Sequence, residues 1–254
     1  MTELLGLVFS PWTEKARFAL DVRRVPYTFR HYQPLIGEPA LRVKLRRLTG
    51  SVTVPVLTLD DGRVLADSAD IAHWADGRGE GPRLFPPEQE AAVASFVALS
   101  ERALAAGRAL SLPRMLANPD ALAEMLPRPI RRALGPVASR VGALGVARTL
   151  RKYDGHRYGA EAHRRTLVSA LDQIRATLAK APSGETPRTL LGRFTFADIA
   201  MAQVIVSVEP PASGLKLGAA SRRSFVDPEL RAPYADLVAW RDELYRAFRT
   251  PATT

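Results

Sequence analysis

The sequence predicts an α/β unit followed by an all-α region, and three observations carry that division. Short apolar runs of strand length lie within the first seventy residues. A Gly/Pro-rich run, GRGEGPRLFPP at 77–87, interrupts the chain after them. Beyond it, apolar residues recur with the period of a helix rather than that of a strand.

The elements follow in order. LLGLVF, 4–9, is a strand. From 13 to 25, Ala16, Ala19 and Leu20 form one face with Arg23 and Arg24 outside, a helix that Pro26 stops. YTFRHY, 27–32, is an aromatic-rich second strand, giving a strand–helix–strand unit with parallel strands and a right-handed crossover. A short helix is expected over 39–48. The strands 54–59 and 63–66 flank Asp60-Asp61-Gly62, a hairpin signal, and a helix opens at Ser68. The order βαβ then ββα is the thioredoxin-like pattern, a mixed sheet with helices on both faces. Helices are expected over 88–110, 119–126, 136–150, 160–181, 194–208 and 233–248, with 194–208 nearly all apolar and so central. The organisation is a domain at 1–78, a linker at 79–87 and a helical bundle at 88–254.

Composition narrows the chemistry. The chain of 254 residues contains no cysteine, which excludes disulfides, a protein thiol nucleophile and thiolate metal sites. His73, His156 and His163 have no metal-ligand spacing with carboxylates, and no metal is expected. MTELLGLVF has no basic n-region and no long uncharged apolar run follows, so neither a secretory signal nor a transmembrane helix is expected and a cytoplasmic location is. The formal charge of +10 is uneven: residues 105–165 hold 12 Lys/Arg against four Asp/Glu. That segment is either an arginine-rich solvated face or a surface for anionic membrane or nucleic acid, nucleic acid being the less expected partner.

Three features of the first domain could carry function. Ser10 ends the first strand and Pro11 follows, so Ser10 is a helix cap, or a hydroxyl at the positive end of a helix. Thr13 is the rival hydroxyl one turn on. In TVPVL, 53–57, the proline cannot donate to a ladder; a cis Val54–Pro55 bond would turn the Val54 backbone outward for a peptide ligand. Asp67-Ser68 opens a helix, where Ser68 can cap while the helix start accepts a carboxylate and Asp67 an ammonium.

Together, FSPWTEKARFALDVRRVPY and TVPVLTLDDGRVLADSADIAHWAD resemble the N-terminal domain of the glutathione S-transferase family over residues 3–76. The resemblance implies glutathione as co-substrate, its cysteinyl part on the Val54 backbone before a cis Pro55 and its γ-glutamyl end on Asp67 and Ser68. It implies Ser10 as the hydroxyl that hydrogen-bonds the sulfur. Where the family often places Lys or Gln near the glycyl carboxylate this chain has Thr53, and Lys44, Arg46, Arg47 or His31 is left to substitute. The acceptor pocket for a small hydrophobic electrophile is expected between Trp12 and helix 88–115, with Leu110, Arg114 and Met115 as its far wall; Trp12 is alternatively packed in the domain interface. FTFADIAMA resembles the family's structural capping box, Thr195 with Asp198. Family members conjugate glutathione, with isomerase, peroxidase and dehalogenase variants, serve detoxification and dimerise with themselves. The helical domain is enlarged near 111–158, a lid, a dimer element or a lipid-docking segment. A non-catalytic protein that keeps the fold for binding is the alternative.

Overall fold

The computed structural model describes residues 1–34, 37–153, 159–181 and 187–249. Its four-stranded sheet comprises β1 (Glu3–Gly6), β2 (Thr28–His31), β3 (Val56–Thr58) and β4 (Val64–Leu65), in the order β2-β1-β3-β4. β1 and β2 are parallel, as their crossover requires, and the β1–β3 and β3–β4 pairs are antiparallel. With α1 (Pro11–Val22), α2 (Glu38–Leu45) and α3 (Ser68–Arg78) this is the thioredoxin-like arrangement. The period of two sorts the side chains. Leu4 and Leu57 face α1 and α3, beside Ala16, Leu20, Ile71 and Ala75, while Leu5 and Val56 face α2 and its Leu41.

The remainder is helical. It comprises α4 (Glu90–Leu116), α5 (Pro119–Glu124), α6 (Arg128–Leu134), α7 (Ala138–Lys152), α8 (Ala160–Lys180), α9 (Phe196–Val204), α10 (Ala219–Phe225), α11 (Pro228–Arg231) and α12 (Ala235–Phe248). Three of these, α6, α10 and α11, were not expected from periodicity. The prolines of 127–129 read as breakers, yet Pro129 stands in the first turn of α6, where its missing N–H costs nothing. α4 runs past the expected end at Leu110 and through Pro113. Among the described residues no helix is long and apolar enough to cross a membrane.

α1 belongs to both domains at once. Its Ala16 and Leu20 pack under the sheet. Phe18, Ala19 and Val22 join the largest core, with α4, α8, α9 and α12. Phe18 is fully buried, and its burial contributes about 2–3 kcal/mol. α9 fills the centre, opened by the expected box: the Thr195 N–H and hydroxyl both donate to Asp198 Oδ2, at 2.8 and 3.2 Å. Burial pushes the Asp198 carboxyl up to about 6, although these donors and the Leu190 N–H draw it down.

The connection 79–87 is not a loose hinge. Gly79 and Gly81 pass so close to α1 that a Cβ on either would lie 1.9 Å from the carbonyl oxygen of Arg23 or Val22. Asp76 Oδ1 accepts the Leu84 N–H at 2.7 Å, and the Leu84 carbonyl accepts the Phe196 N–H at 3.0 Å, with Leu84 fully buried. These glycines are required by close approach rather than by flexibility.

Candidate active site

The strand registers bring the three candidate segments to one edge. Leu5 pairs with Val56, so the chain before β3, Val54-Pro55, continues beside the loop that follows β1 and ends at Ser10. Leu57 pairs with Leu65, so the chain leaving β4 carries Asp67-Ser68 back along the same edge. The C-terminal end of β2 lies there too, with His31 opposite Gly6. The Val54–Pro55 bond is cis, and the ladder begins only at Val56, leaving the Val54 N–H and C=O outside it.

Ser10 caps α1. Its extended backbone (φ −88°, ψ 124°) lets Oγ accept the Thr13 N–H at 3.4 Å, and its carbonyl accepts the Glu14 N–H at 2.9 Å. Capping uses a lone pair of the hydroxyl and leaves its O–H free to donate. Thr13 is placed differently. Its hydroxyl accepts the Leu7 N–H at 3.2 Å, its methyl packs against Gly6, and the residue is 1% exposed. The half-exposed Ser10 is thus the hydroxyl open to a ligand.

At the second helix start the roles are exchanged relative to expectation. Asp67, not Ser68, is the cap: its extended backbone lets Oδ1 accept the Ala69 N–H at 2.7 Å. Ser68 is the first helical residue and is buried. An exposed Asp67 still presents its second oxygen, and the α3 dipole points at the same spot.

Above this edge sits the helical domain. Trp12 resolves to the domain interface: it packs against the largest core and its Nε1–H donates to Glu101 Oε2 of α4 at 2.6 Å. Glu101 also accepts from the fully buried Lys15 Nζ at 2.7 Å, with Ser100 Oγ 2.8 Å away. Burial pulls the Lys15 ammonium below its usual range, and Glu101 counters it. The expected far wall changes. Leu110 stays partly buried against the core, but Arg114 turns to Asp227 and the Ser224 carbonyl, both at 3.1 Å, and Met115 is buried with α5 and α7. Both are committed among the helices: Arg114 is drawn to Asp227 and Ser224, and Met115, two turns along α4 beyond Arg108, has passed the first domain and reached α5 and α7. Arg108 of α4 lies over the Trp12 ring, 4.7 Å from its centroid, and over Tyr153, 3.7 Å.

The last turn of α7, within the enlarged segment, reaches the first domain. Arg148 Nη2 meets Glu38 Oε2 at 2.7 Å, and Lys152 Nζ donates to the Val52 carbonyl. Arg148 and Arg42 hold the Glu38 carboxyl down at about 2. A loop of the helical domain adds the Lys216 N–H to the Val8 carbonyl at 2.9 Å, just before Ser10. Lys44 is taken by Glu3 and Thr58 at the opposite end of the sheet, and Arg46 ends α2 in the left-handed region (φ 51°). The His31 ring stands edge-on to Phe29, and Thr53 is exposed. His73 stacks on Phe85; among the described residues no cluster of His, Asp and Glu could hold a metal, and His156 lies outside them. Glu101 and Arg108, two turns apart on one face of α4, were missed in the sequence; only that seven-residue spacing signalled them.

Residues 9–78 match the family model for the N-terminal domain of glutathione S-transferase. A curated maize (Zea mays) relative, the probable glutathione S-transferase BZ2, is 36% identical over 96 residues, 34% of this chain. The match spans only 38% of that relative's length. Similar solved structures cover nearly the whole chain. A glutathione S-transferase from Methylobacillus flagellatus KT with GSH bound gives a TM-score of 0.58 at 17% identity, over 99% of this chain and 100% of that one. One from Rhodospirillum rubrum F11 gives 0.56 at 19%, over 95% and 86%. One from Ceriporiopsis subvermispora in complex with glutathione gives 0.56 at 18%, over 100% and 99%. At such identities these structures share the fold.

Proposed function

We propose that this chain, whose residues 9–78 match the N-terminal domain of the glutathione S-transferase family, is a member of that family, binds glutathione at the Ser10 edge of the sheet and activates its thiol. The observation that carries the reading is the register that aligns Ser10, Val54-Pro55 and Asp67-Ser68. The free Val54 N–H and C=O suit the cysteinyl peptide unit. Asp67 suits the γ-glutamyl ammonium, and the start of α3 with Ser68 its carboxylate. Thr53 offers no charge to the glycyl carboxylate, and Lys152, brought beside Val52 by α7, replaces it.

The chemistry needs a thiolate, and a free thiol of pKa about 8.5 is mostly protonated at neutral pH. The Ser10 O–H donates to the sulfur, and the positive end of α1 stands behind it; both favour the anion. The sulfur then attacks a small electrophile bound beside the Trp12–Arg108 contact. Conjugation is the proposed reaction, and a homodimer and a role in detoxification follow from the family resemblance.

Two measurements test this. Calorimetry should detect binding at or below millimolar glutathione; no binding there leaves the fold as a non-catalytic module. Ser10→Ala should keep glutathione affinity and raise the pKa of the bound thiol by about one unit, the effect of one lost charge-assisted hydrogen bond. Thiolate absorbance against pH reads this, and an unchanged curve removes Ser10 from the mechanism.

A further inference from the structure

Arg108 differs from the cations around it. Arg42 and Arg148 share Glu38, Lys15 has Glu101, and Arg114 has Asp227. Glu101, the acid nearest to Arg108 on its own helix, is spent on Trp12 Nε1 and Lys15 Nζ. Arg108 is half-buried, and its contacts are the faces of two rings, Trp12 and Tyr153. Among the described residues its guanidinium has neither an ion pair nor a hydrogen bond. Stacking on ring faces does not use the N–H groups, which lie in the guanidinium plane. A fork of donors is therefore held by aromatic packing at the contact of α1 with α4, on the indole that follows Ser10 by two residues, without a polar partner among the described residues.

We infer that Arg108 is a specificity-determining residue that binds an anionic group on the acceptor, so that this chain favours electrophiles carrying a carboxylate over purely hydrophobic ones. The inference rests on glutathione lying beside Ser10. A planar carboxylate matches the fork in bidentate fashion, and the removal of water by Trp12 and Tyr153 strengthens the attraction. Burial lowers the Arg108 pKa, and Tyr153 and Glu101 oppose that only in part; a bound carboxylate would relieve the remaining cost. Lys152 and Arg148 add positive potential nearby, with Glu38 as the acid facing them.

The test compares two glutathione conjugates of similar size, S-(4-carboxybenzyl)glutathione and S-(4-methylbenzyl)glutathione, by calorimetry on the full chain. The wild type should prefer the carboxylate by about 10- to 100-fold, the value of a charge-assisted bidentate pair. Arg108→Met should abolish that preference and leave the methylbenzyl affinity within about threefold of wild type. Arg108→Lys keeps charge but loses the fork, and should retain part of the preference; it supplies the same comparison if the methionine variant does not fold. A wild type without preference, or a preference that survives Arg108→Met, overturns the inference. Equal weakening of both conjugates overturns it too, because Arg108 would then hold glutathione itself. If the wild type binds neither conjugate, the glutathione reading falls, an outcome distinct from binding both without preference.

Discussion

The two domains meet in two places of opposite character. Along α1 the contact is deep: Phe18, Ala19 and Val22 are inside the largest core, and the charges there are buried too. Arg249 Nε meets Glu14 Oε1 at 2.6 Å, and its Nη1 meets Asp21, with Glu14 1% exposed. Burial raises the Glu14 carboxyl pKa, and Arg249 opposes that rise. At the last turn of α7 the contact is shallow and polar, an Arg148 side chain 58% exposed on Glu38 and a lysine on one carbonyl. The deep contact fixes α1, whose start carries Ser10 and Trp12. The shallow one holds α7 to the first domain through charges that salt and acid can reach.

The largest effect should come from breaking the deep contact. Arg249→Met takes from the buried Glu14 the closer of its two arginines, leaving Arg17 at 3.2 Å, and takes from the half-buried Asp21 its partner; it should cost about 3 kcal/mol in denaturant unfolding. Adding Glu14→Leu should return part of that loss, since part of the cost lies in the poorly compensated buried carboxylate. Next, Gly81→Ala places a Cβ 1.9 Å from the Val22 carbonyl oxygen and should cost about 1–3 kcal/mol, read as a lowered Tm. By contrast, Arg148→Ala should cost at most about 1 kcal/mol, and less as salt is raised. Its signature is local: faster amide exchange in the last turn of α7. The smallest effect is on acidity. The Glu38 carboxyl titrates at about 2 in the folded chain, below its usual 4.5. Its contribution is therefore present above pH 4.5 and fades as pH falls from there through about 2. Protection factors in the last turn of α7, that is exchange corrected for its intrinsic pH dependence, should fall across that window in the wild type and stay flat in Glu38→Gln.

The contrast also explains what could be read in the sequence. Ser10-Pro11, the Val54–Pro55 step and the helix opening at Asp67-Ser68 are local devices. A proline or a capping side chain constrains its own backbone, so each announces itself within a few residues. The linker glycines also stood out, but their meaning did not. Low side-chain bulk is equally the mark of a flexible hinge and of a chain pressed against a helix, and only the proximity of Val22 and Arg23 distinguishes them. Arg114 and Met115 were placed in the cleft by sequence distance alone; two more turns of α4 put them elsewhere.

What the sequence by itself determined is the alternation of elements, the caps and the candidate edge of the sheet. These follow from periodicity and backbone chemistry, whose range is a few residues. Only the tertiary structure decided which of two hydroxyls faces outward, which of many arginines is paired, and that Arg108 has no ion pair or hydrogen bond among the described residues. Pairing and desolvation depend on atoms far apart in the chain, Trp12 with Glu101 and Arg108 with Tyr153, so composition and spacing carry no record of them. The charged residues of α4 look alike along the sequence; packing against α1 and α7 makes one a clamp and another a vacant donor.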